Sequence, residues 1–273
     1  RRLGIYLEER QSVLKDQEQF ELASLEKYIL EQALVEKGLS GEEIESLFPI
    51  SKASGLLPHG VVGVCLYDNI CQDINRFVEK TRPYVLKPKL EPVDVDVVIS
   101  DFRLTGKIDV LYEQGLVQYR HARLNAKDRL RVWIYHLVLS CIRSEHLETS
   151  KLIGLRKKDK QYEWTALEYT QAECAEKILS DLLKIYWNGL MRTIHFFPES
   201  AWEYANALLD KGRQDIDATR KARRIYFGDE YHWSECEDAY YELCFGDTDP
   251  IDSEFKDLAV EIFEPLIRHE AIV

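Results

Sequence analysis

The chain has 273 residues, which is enough for one large domain or two small ones with a sizeable hydrophobic core. Its hydrophobic fraction of 45% and charged fraction of 31% are those of a soluble globular protein, and no apolar run reaches the length of a membrane span. A net charge of −12 at pH 7 argues against indiscriminate binding of nucleic acids or membranes.

Cysteine usage and the N-terminus bear on the compartment and on the extent of the chain. Six cysteines occur without a Cys-x-x-Cys pair, which predicts free thiols in a reducing, cytoplasmic setting rather than a disulfide scaffold or a zinc site. No signal peptide is recognisable. Because the chain begins with Arg1-Arg2, we expect it to be part of a longer protein.

Residues 1–54 are predicted to form an N-terminal helical extension, packed on a main domain of residues 55–273. Residues 16–19 resemble a capping box, and apolar residues then recur at helical spacing as far as Gly38. A Ser-x-x-Glu box at Ser40 is predicted to open a short helix that ends before Pro49. No chemistry is evident in this extension.

Two elements are predicted between the extension and the centre of the chain. A glycine-containing turn precedes a helix from about Val64 to Lys80, and residues 93–99 alternate as a half-buried strand. Asp94 and Asp96 share one face of that strand. They could replace missing carboxylates of a metal site, but the alternation favours a solvent-facing side of an edge strand.

The central stretch, residues 102–141, is predicted to fold as strand, turn, strand and basic amphipathic helix. The first strand is expected over residues 102–112, and the second begins at Leu116 after a short connection containing Gly115. Asn125 is a plausible N-cap of the helix, whose apolar residues lie on one face.

Basic residues are concentrated around this stretch. Residues 102–160 hold 13 Lys/Arg against 6 Asp/Glu, a balance of +7, so the rest of the chain carries −19. A basic block in an acidic protein is typical of a DNA path, although solvated charge runs produce the same pattern. The DNA-binding candidates are Arg123, Lys127, Arg129 and Arg131 at the helix, and Arg156, Lys157, Lys158 and Lys160 at the tip of a predicted hairpin.

The C-terminal part is predicted to be mostly helical. A long helix is expected over residues 167–188, followed by a buried strand over residues 192–197. Residues 228–250 are acidic and aromatic; since carboxylates repel phosphates, contact with a partner protein or core packing is favoured there over stacking on bases.

The central motifs resemble the PD-(D/E)xK nucleases of the RecB type. Gly106-Lys107-Ile108-Asp109 is similar to the family's Gly-x-Ile-Asp element, whose Asp binds a divalent metal. By that resemblance, Gln118 stands where the family has a second metal-binding carboxylate and Arg120 where it has a catalytic lysine. Arg131 stands in place of the Gln of a Gln-x-x-x-Tyr element that ends here at Tyr135.

These replacements remove the means of hydrolysis. Two-metal hydrolysis needs several oxygen ligands, and the lone carboxylate of Asp109 cannot supply them. Gln118 offers only a neutral carbonyl oxygen, and Arg120 cannot exchange a proton near neutral pH. We therefore expect no catalytic residue, no metal and no cofactor. Asp109 is expected to pair with Lys107 or Arg120 instead.

Flanking motifs extend the resemblance to the RecC C-terminal domain family, subunits of the RecBCD helicase–nuclease (exodeoxyribonuclease V). They are residues 55–63, 196–200 and 263–268, in the same order. The resemblance implies an α/β, restriction-endonuclease-like fold: a mixed central sheet flanked by helices. It also implies an inactive domain that contacts a duplex fork or single strands, helps to separate strands in double-strand-break repair and recombination, and docks RecB-like and RecD-like subunits. The alternatives are an active Mg-dependent nuclease using Asp94, Asp96 and Asp109, and a pure protein-interaction module.

Overall fold

The structure is a computed structural model that describes residues 22–85, 88–113, 115–142, 149–158, 161–209, 212–228, 234–246 and 248–273, without the side chain of Lys158. The chain divides into two compact units, residues 1–76 and residues 77–273. The predicted boundary after residue 54 stays a prediction. The capping box expected at residues 16–19 lies outside the described residues.

The first unit is helical where it is described. It holds α1 (Ser24–Leu39), a 3-10 turn (Ile44–Leu47), α2 (Phe48–Ala53) and the first part of α3 (Gly60–Val85), which continues into the second unit. The helix expected to end before Pro49 is instead a 3-10 turn followed by α2, and Pro49 lies in the first turn of α2. Proline fits there because the first turn has no backbone acceptor for its missing N–H.

The first two turns of α3 contain Gly63 and Tyr67, and the surroundings of each show why that residue type occurs there. A Cβ on Gly63 would lie 2.0 Å from the backbone oxygen of Pro58, so only glycine allows this close approach. Tyr67 is buried, and its hydroxyl donates to the backbone oxygen of Ile44 at 2.6 Å. Tyr67 therefore anchors the start of α3 to the 3-10 turn of the same unit.

The second unit begins with an antiparallel hairpin of β1 (Val93–Ile99) and β2 (Phe102–Ile108). Buried and exposed residues alternate along β1, as predicted. The strand expected over residues 102–112 is wrong as a single element. It breaks after Ile108, and β3 (Leu111–Tyr112) belongs to a different sheet.

That second sheet has five strands in the order β3-β4-β5-β6-β7. The remaining strands are β4 (Gly115–Arg123), β5 (Thr149–Lys158), β6 (Gln161–Thr170) and the C-terminal β7 (Glu270–Ile272). β4 and β5 pair in parallel, and the other neighbours pair antiparallel. Helix α4 (Ala126–Ile142) forms the crossover that a parallel pair requires.

The described helices that follow are α5 (Ala175–Met191), α6 (Pro198–Leu209), α7 (Asp215–Phe227), α8 (Ala239–Phe245) and α9 (Ser253–His269), with a 3-10 turn (Glu235–Glu237) before α8. The helix expected over residues 167–188 starts too early, because β6 runs on to Thr170 in register with β5. The strand expected over residues 192–197 is not formed. Phe197 packs instead in an aromatic cluster, with its ring 4.5 Å from Tyr226 and 5.0 Å from Tyr241.

Both faces of the five-stranded sheet are covered. On one face, Leu116, Leu152 and Leu167 join the core with Trp133 of α4. On the other face, Phe77 of α3 packs on His121 and Trp164, with ring centroids 5.2 and 4.8 Å apart. The expectation of an α/β protein with a mixed sheet between helices is therefore confirmed at that level.

Candidate nucleic-acid interface

Asp109 lies on the two-residue link between β2 and β3, where its side chain is exposed. The predicted pairing of Asp109 with Lys107 or Arg120 is wrong for both cations. Lys107 lies 3.2 Å from Asp94 across the hairpin, and Arg120 lies 2.8 Å from Asp128 in the first turn of α4. Asp109 lies just beyond the β1–β2 pairing, which ends at Val93↔Ile108, so it has no cross-strand partner in that hairpin.

Gln118 and Arg120 lie two residues apart on β4 and therefore share a face, the one that Leu116 presents to α4. The Oε1 atom of Gln118 is enclosed and accepts no hydrogen bond from the described residues. The Arg120 guanidinium donates to Asp128, whose carboxylate also accepts from the backbone N–H of Asn125 at 3.1 Å. Gln118 and Arg120, which the resemblance implied to replace a metal-binding carboxylate and a catalytic lysine, are thus an enclosed amide and an ion-paired arginine.

Asp94 and Asp96 lie on the exposed face of β1, as the alternation favoured. The Arg103 guanidinium donates to both carboxylate oxygens of Asp96 at 2.8 Å. These hydrogen bonds lower the pKa of Asp96. With Asp94 paired to Lys107, each carboxylate of this face has its own cation. Within the described residues, no group of three or more His, Cys, Asp or Glu side chains is placed to hold a metal ion.

Arg129, one of the DNA-binding candidates, is taken into the interior by the fold. It is only 5% exposed, and its guanidinium pairs with Glu270 of β7 and stacks over Trp202 of α6 at 4.3 Å. Burial by itself lowers the pKa of Arg129, but the charge of Glu270 reverses the effect and holds the pKa above its ordinary value. Arg129 is therefore not available to a phosphate.

Three other candidates remain at the surface: Arg123, at the end of β4, and Lys127 and Arg131 of α4. Lys127 and Arg131 are four residues apart and lie on the same side of the helix. No ion pair of these three is seen in the described part of the chain. We call Arg123, Lys127 and Arg131 the α4 basic face.

The N-terminus of α4 itself is not a free anion site. The backbone N–H of Ala126 donates to Glu199 of α6 at 2.8 Å, and the backbone N–H of Asp128 donates to the side chain of Asn125, which confirms the predicted N-cap. Burial raises the pKa of Glu199. Since side chains already satisfy these donors, anion binding has to come from the cationic side chains of the α4 basic face.

The predicted hairpin with a basic tip is formed by β5 and β6, which pair from Thr149↔Thr170 to Lys158↔Gln161. Arg156 is half-buried and Lys157 is exposed, with its Nζ 5.9 Å from the ring of Tyr162. The side chain of Lys158 and all of Lys160 lie outside the described residues. We call Arg156, Lys157, Lys158 and Lys160 the hairpin tip.

The parallel pairing of β4 and β5 brings the end of β4 beside the residues that precede the hairpin tip. Arg123 lies opposite Leu155, and the backbone N–H of Leu124 donates to the oxygen of Leu155 at 3.0 Å. The α4 basic face therefore begins beside the residue that precedes Arg156. The sequence separation between positions 123 and 156 concealed this arrangement, because a parallel pair is joined through an intervening helix.

Sequence reasoning missed the residues that organise the surroundings of α4. Glu270 and Trp202 enclose Arg129, and Glu199 caps α4 from a distant helix. Glu235 accepts from the backbone N–H groups of Glu199 and Ser200 at 2.9 and 2.8 Å, and so caps α6 in turn. No local spacing connects these partners, so no pattern along the chain could have identified them.

A search of the described helices finds none that is both long and apolar enough to cross a membrane.

Comparison with known proteins finds one matching family model and several similar proteins. A family model described as the RecC C-terminal domain matches residues 1–209. The RecBCD enzyme subunit RecC of Escherichia coli (strain K12) is 25% identical over 249 residues, which are 88% of this chain and 21% of that protein. The RecBCD enzyme subunit RecC of Buchnera aphidicola subsp. Schizaphis graminum (strain Sg) is 24% identical over 262 residues, which are 93% of this chain and 24% of that protein. The chain thus spans less than a quarter of the length of these relatives.

Proposed function

The chain belongs to the RecC C-terminal domain family, and we propose that it is a non-catalytic, DNA-contacting and subunit-docking domain of a cytoplasmic RecBCD-type assembly. The relatives are named as subunits of the RecBCD enzyme. The proposed partners are RecB-like and RecD-like subunits and a DNA fork or its single strands. In this role the domain helps to separate strands during double-strand-break repair and recombination, while the assembly as a whole degrades and unwinds DNA.

The fold is proposed to be a degenerate PD-(D/E)xK nuclease core. The order β1, β2, β3, β4, α4 and β5 and the parallel pairing of β4 with β5 are compatible with a nuclease-like mixed sheet. The motif positions Asp109, Gln118 and Arg120 fall on the link after β2 and on β4, which are corresponding places along this order.

Loss of hydrolysis is supported by the state of the motif side chains. Arg120 is engaged by Asp128, and its guanidinium cannot serve as a proton donor near neutral pH. Asp94 and Asp96 are each matched by a cation on the same hairpin, so neither is free to join Asp109 around Mg²⁺. This arrangement disfavours the alternative of an active nuclease.

The proposed DNA contact rests on one observation, which is the pairing register of β4 and β5 that sets Arg123 beside Leu155. Because Leu155 directly precedes Arg156, this register supports the proposal that the α4 basic face and the hairpin tip act together on DNA, although the chain is acidic overall. Cations on adjacent elements can each replace a counterion of a DNA backbone, and such contacts position DNA without reading its sequence.

The test is a salt titration of binding to a forked duplex, made with the assembled complex. The variant reverses the charge of Lys157, Lys158 and Lys160 to Glu. The control reverses Arg82, Lys89 and Lys177, which are exposed on other elements and change the net charge equally. We expect the slope of log affinity against log salt to fall by roughly 0.7–0.9 for each phosphate contact that is lost.

The control must keep the slope of the unmodified complex. A second variant, Arg123, Lys127 and Arg131 to Glu, tests the α4 basic face in the same way. If both variants bind with an unchanged slope while the complex remains assembled, the domain does not contact DNA and acts as a docking module only.

A further inference from the structure

Helix α8 has two faces with different roles. Tyr241 and Phe245 point inward, where their rings lie 5.0 and 5.1 Å from Phe197. Tyr240 and Leu243 point outward and are 78% and 83% exposed. The two outward side chains are three residues apart and so are neighbours on the helix surface. The outward face contributes nothing to the aromatic cluster that holds α8 in place.

The position of α8 is fixed without this outer face. The Asp238 side chain caps the helix by accepting from the backbone N–H of Tyr240 at 2.9 Å. At the other end, the backbone N–H of Gly246 donates to the backbone oxygen of Glu242 at 2.8 Å, and Gly246 has a positive φ of 53°. Tyr240 and Leu243 are therefore held on a capped, anchored turn of helix, so docking a partner on them would cost little ordering of this chain.

The sequence on both sides of α8 carries charge of one sign. Residues 229–249 hold eight Asp or Glu and no Lys or Arg. Asp249 is neutralised by Arg223 at 2.7 Å, and Asp238 is used as a cap. Glu237 and Glu242 are exposed, and neither has an ion pair with the described residues. Two exposed apolar side chains, Tyr240 and Leu243, thus stand close in the chain to two exposed carboxylates, Glu237 on the 3-10 turn before α8 and Glu242 on α8.

We propose that this surface, Glu237, Tyr240, Glu242 and Leu243, docks a cationic protein segment that carries apolar side chains. Its apolar residues cover Tyr240 and Leu243, and its lysines or arginines meet Glu237 and Glu242. Charge complementarity favours a cationic segment as the partner, because the exposed carboxylates attract its lysines and arginines. Nucleic acid is disfavoured because its phosphates would face carboxylates. A second copy is disfavoured because a two-fold contact would place the same carboxylates opposite each other.

This inference names the partner chemistry for the docking part of the proposed function, and it is independent of the proposed DNA contact. The test uses the full-length protein to which this sequence belongs. The probe is a fluorescent peptide of about twelve residues, in which leucines recur at helical spacing on one face and lysines occupy the other face. Two reference peptides replace lysine by glutamate or leucine by serine. Binding is measured by fluorescence anisotropy.

We expect the lysine–leucine peptide to bind and both reference peptides to bind at least about tenfold more weakly, since charge and apolar anchors are both required. Tyr240→Ser with Leu243→Ser, and separately Glu237→Gln with Glu242→Gln, should each weaken binding by about tenfold or more. The matched controls are Ile216→Ser on α7 and Asp257→Asn with Glu261→Gln on α9, which are also exposed. They should bind like the unmodified chain.

Equal binding by the α8 variants and the unmodified chain would overturn the proposal. So would self-association in sedimentation that Leu243→Ser abolishes, because the occupant would then be a second copy. Since no DNA is present in either measurement, these outcomes are separate from a failure of the proposed DNA contact.

Discussion

Arg129 of α4 and Glu270 of β7 form an ion pair in the protein interior, although they lie 141 positions apart in the chain. The Glu270 carboxylate also accepts from the hydroxyl of Tyr169 at 2.9 Å, and the Arg129 guanidinium stacks over Trp202. The pair therefore ties the C-terminal strand to the sheet and to two helices.

Removing the carboxylate should be costly. Glu270→Ala leaves a buried cation without its counter-charge, and we expect it to lower the free energy of unfolding by about 3–5 kcal/mol. Urea denaturation monitored by tryptophan fluorescence measures this change, because Trp133 and Trp202 lie close to the pair.

The matched control is Glu264→Ala, which removes the carboxylate of the Arg268–Glu264 pair at the surface of α9. An exposed pair contributes less than about 1 kcal/mol, so the control should be nearly neutral. The double variant Arg129→Met with Glu270→Leu should recover much of the loss, because no buried charge remains. Equal losses for Glu270→Ala and Glu264→Ala would contradict the interior role of the pair.

Stability should depend on pH through His136, which is buried in α4 with its Nδ1 2.8 Å from the Ser150 hydroxyl. Burial lowers the pKa of His136 from 6.5 to about 4. Between pH 6.5 and about 4, the unfolded chain binds the proton of this histidine more readily than the folded chain does. The free energy of unfolding therefore falls as the pH is lowered through this range. The contribution is at most about 1.4 kcal/mol per pH unit.

His136→Asn keeps a hydrogen-bonding group near Ser150 but does not titrate. Its stability should therefore vary less between pH 6.5 and 4 than that of the unmodified chain, whatever its absolute stability. Urea denaturation at several pH values gives both slopes. Identical slopes would show that His136 does not contribute to the acid sensitivity.

The β1–β2 turn contains a residue in the left-handed region, Ser100, with a φ of 52°. Its hydroxyl lies 2.8 Å from the hydroxyl of Ser180 in α5. Ser100→Ala loses this hydrogen bond and keeps the unfavourable backbone angle, whereas Ser100→Gly loses the bond but relieves the angle. We expect Ser100→Gly to be more stable than Ser100→Ala by about 1 kcal/mol.

Thermal denaturation of the two variants and of Ser180→Ala, which removes only the partner hydroxyl, tests this ranking. If Ser100→Ala is as stable as Ser100→Gly, the backbone at position 100 carries no strain.

Local patterns predicted the parts of this fold whose causes are local. The alternation of residues 93–99, the Asn125 cap and the basic hairpin are examples, since periodicity and capping act over a few residues. The break after Ile108 was missed because strand propensity continues through Leu111 and Tyr112, and only the pairing partners decide which sheet each segment joins. Residues 192–197 were predicted as a strand because they are apolar, but an aromatic cluster buries Phe197 as well as a sheet would.

For the candidate interface, too, the sequence predicted one part and could not predict another. Composition located the basic block, but it could not separate Arg129, which is paired in the interior, from Lys127 and Arg131, which stay at the surface. That separation depends on Glu270 and Trp202, which are brought to α4 by the tertiary fold.

The proposed absence of metal-dependent nuclease activity can be tested at Asp109. Its carboxylate lies on an exposed link, Gln118 of β4 has no charge, and Arg120 is held by Asp128, so the oxygen ligands that Mg²⁺ needs are not assembled around it. We expect linear DNA incubated with the chain and Mg²⁺ or Mn²⁺ to remain intact, and Asp109→Ala to behave identically. Gel electrophoresis detects cleavage, and isothermal titration with Mn²⁺ detects binding that depends on Asp109. Cleavage by the unmodified chain that disappears in Asp109→Ala would show that this carboxylate still assembles a metal site and that the domain is a nuclease.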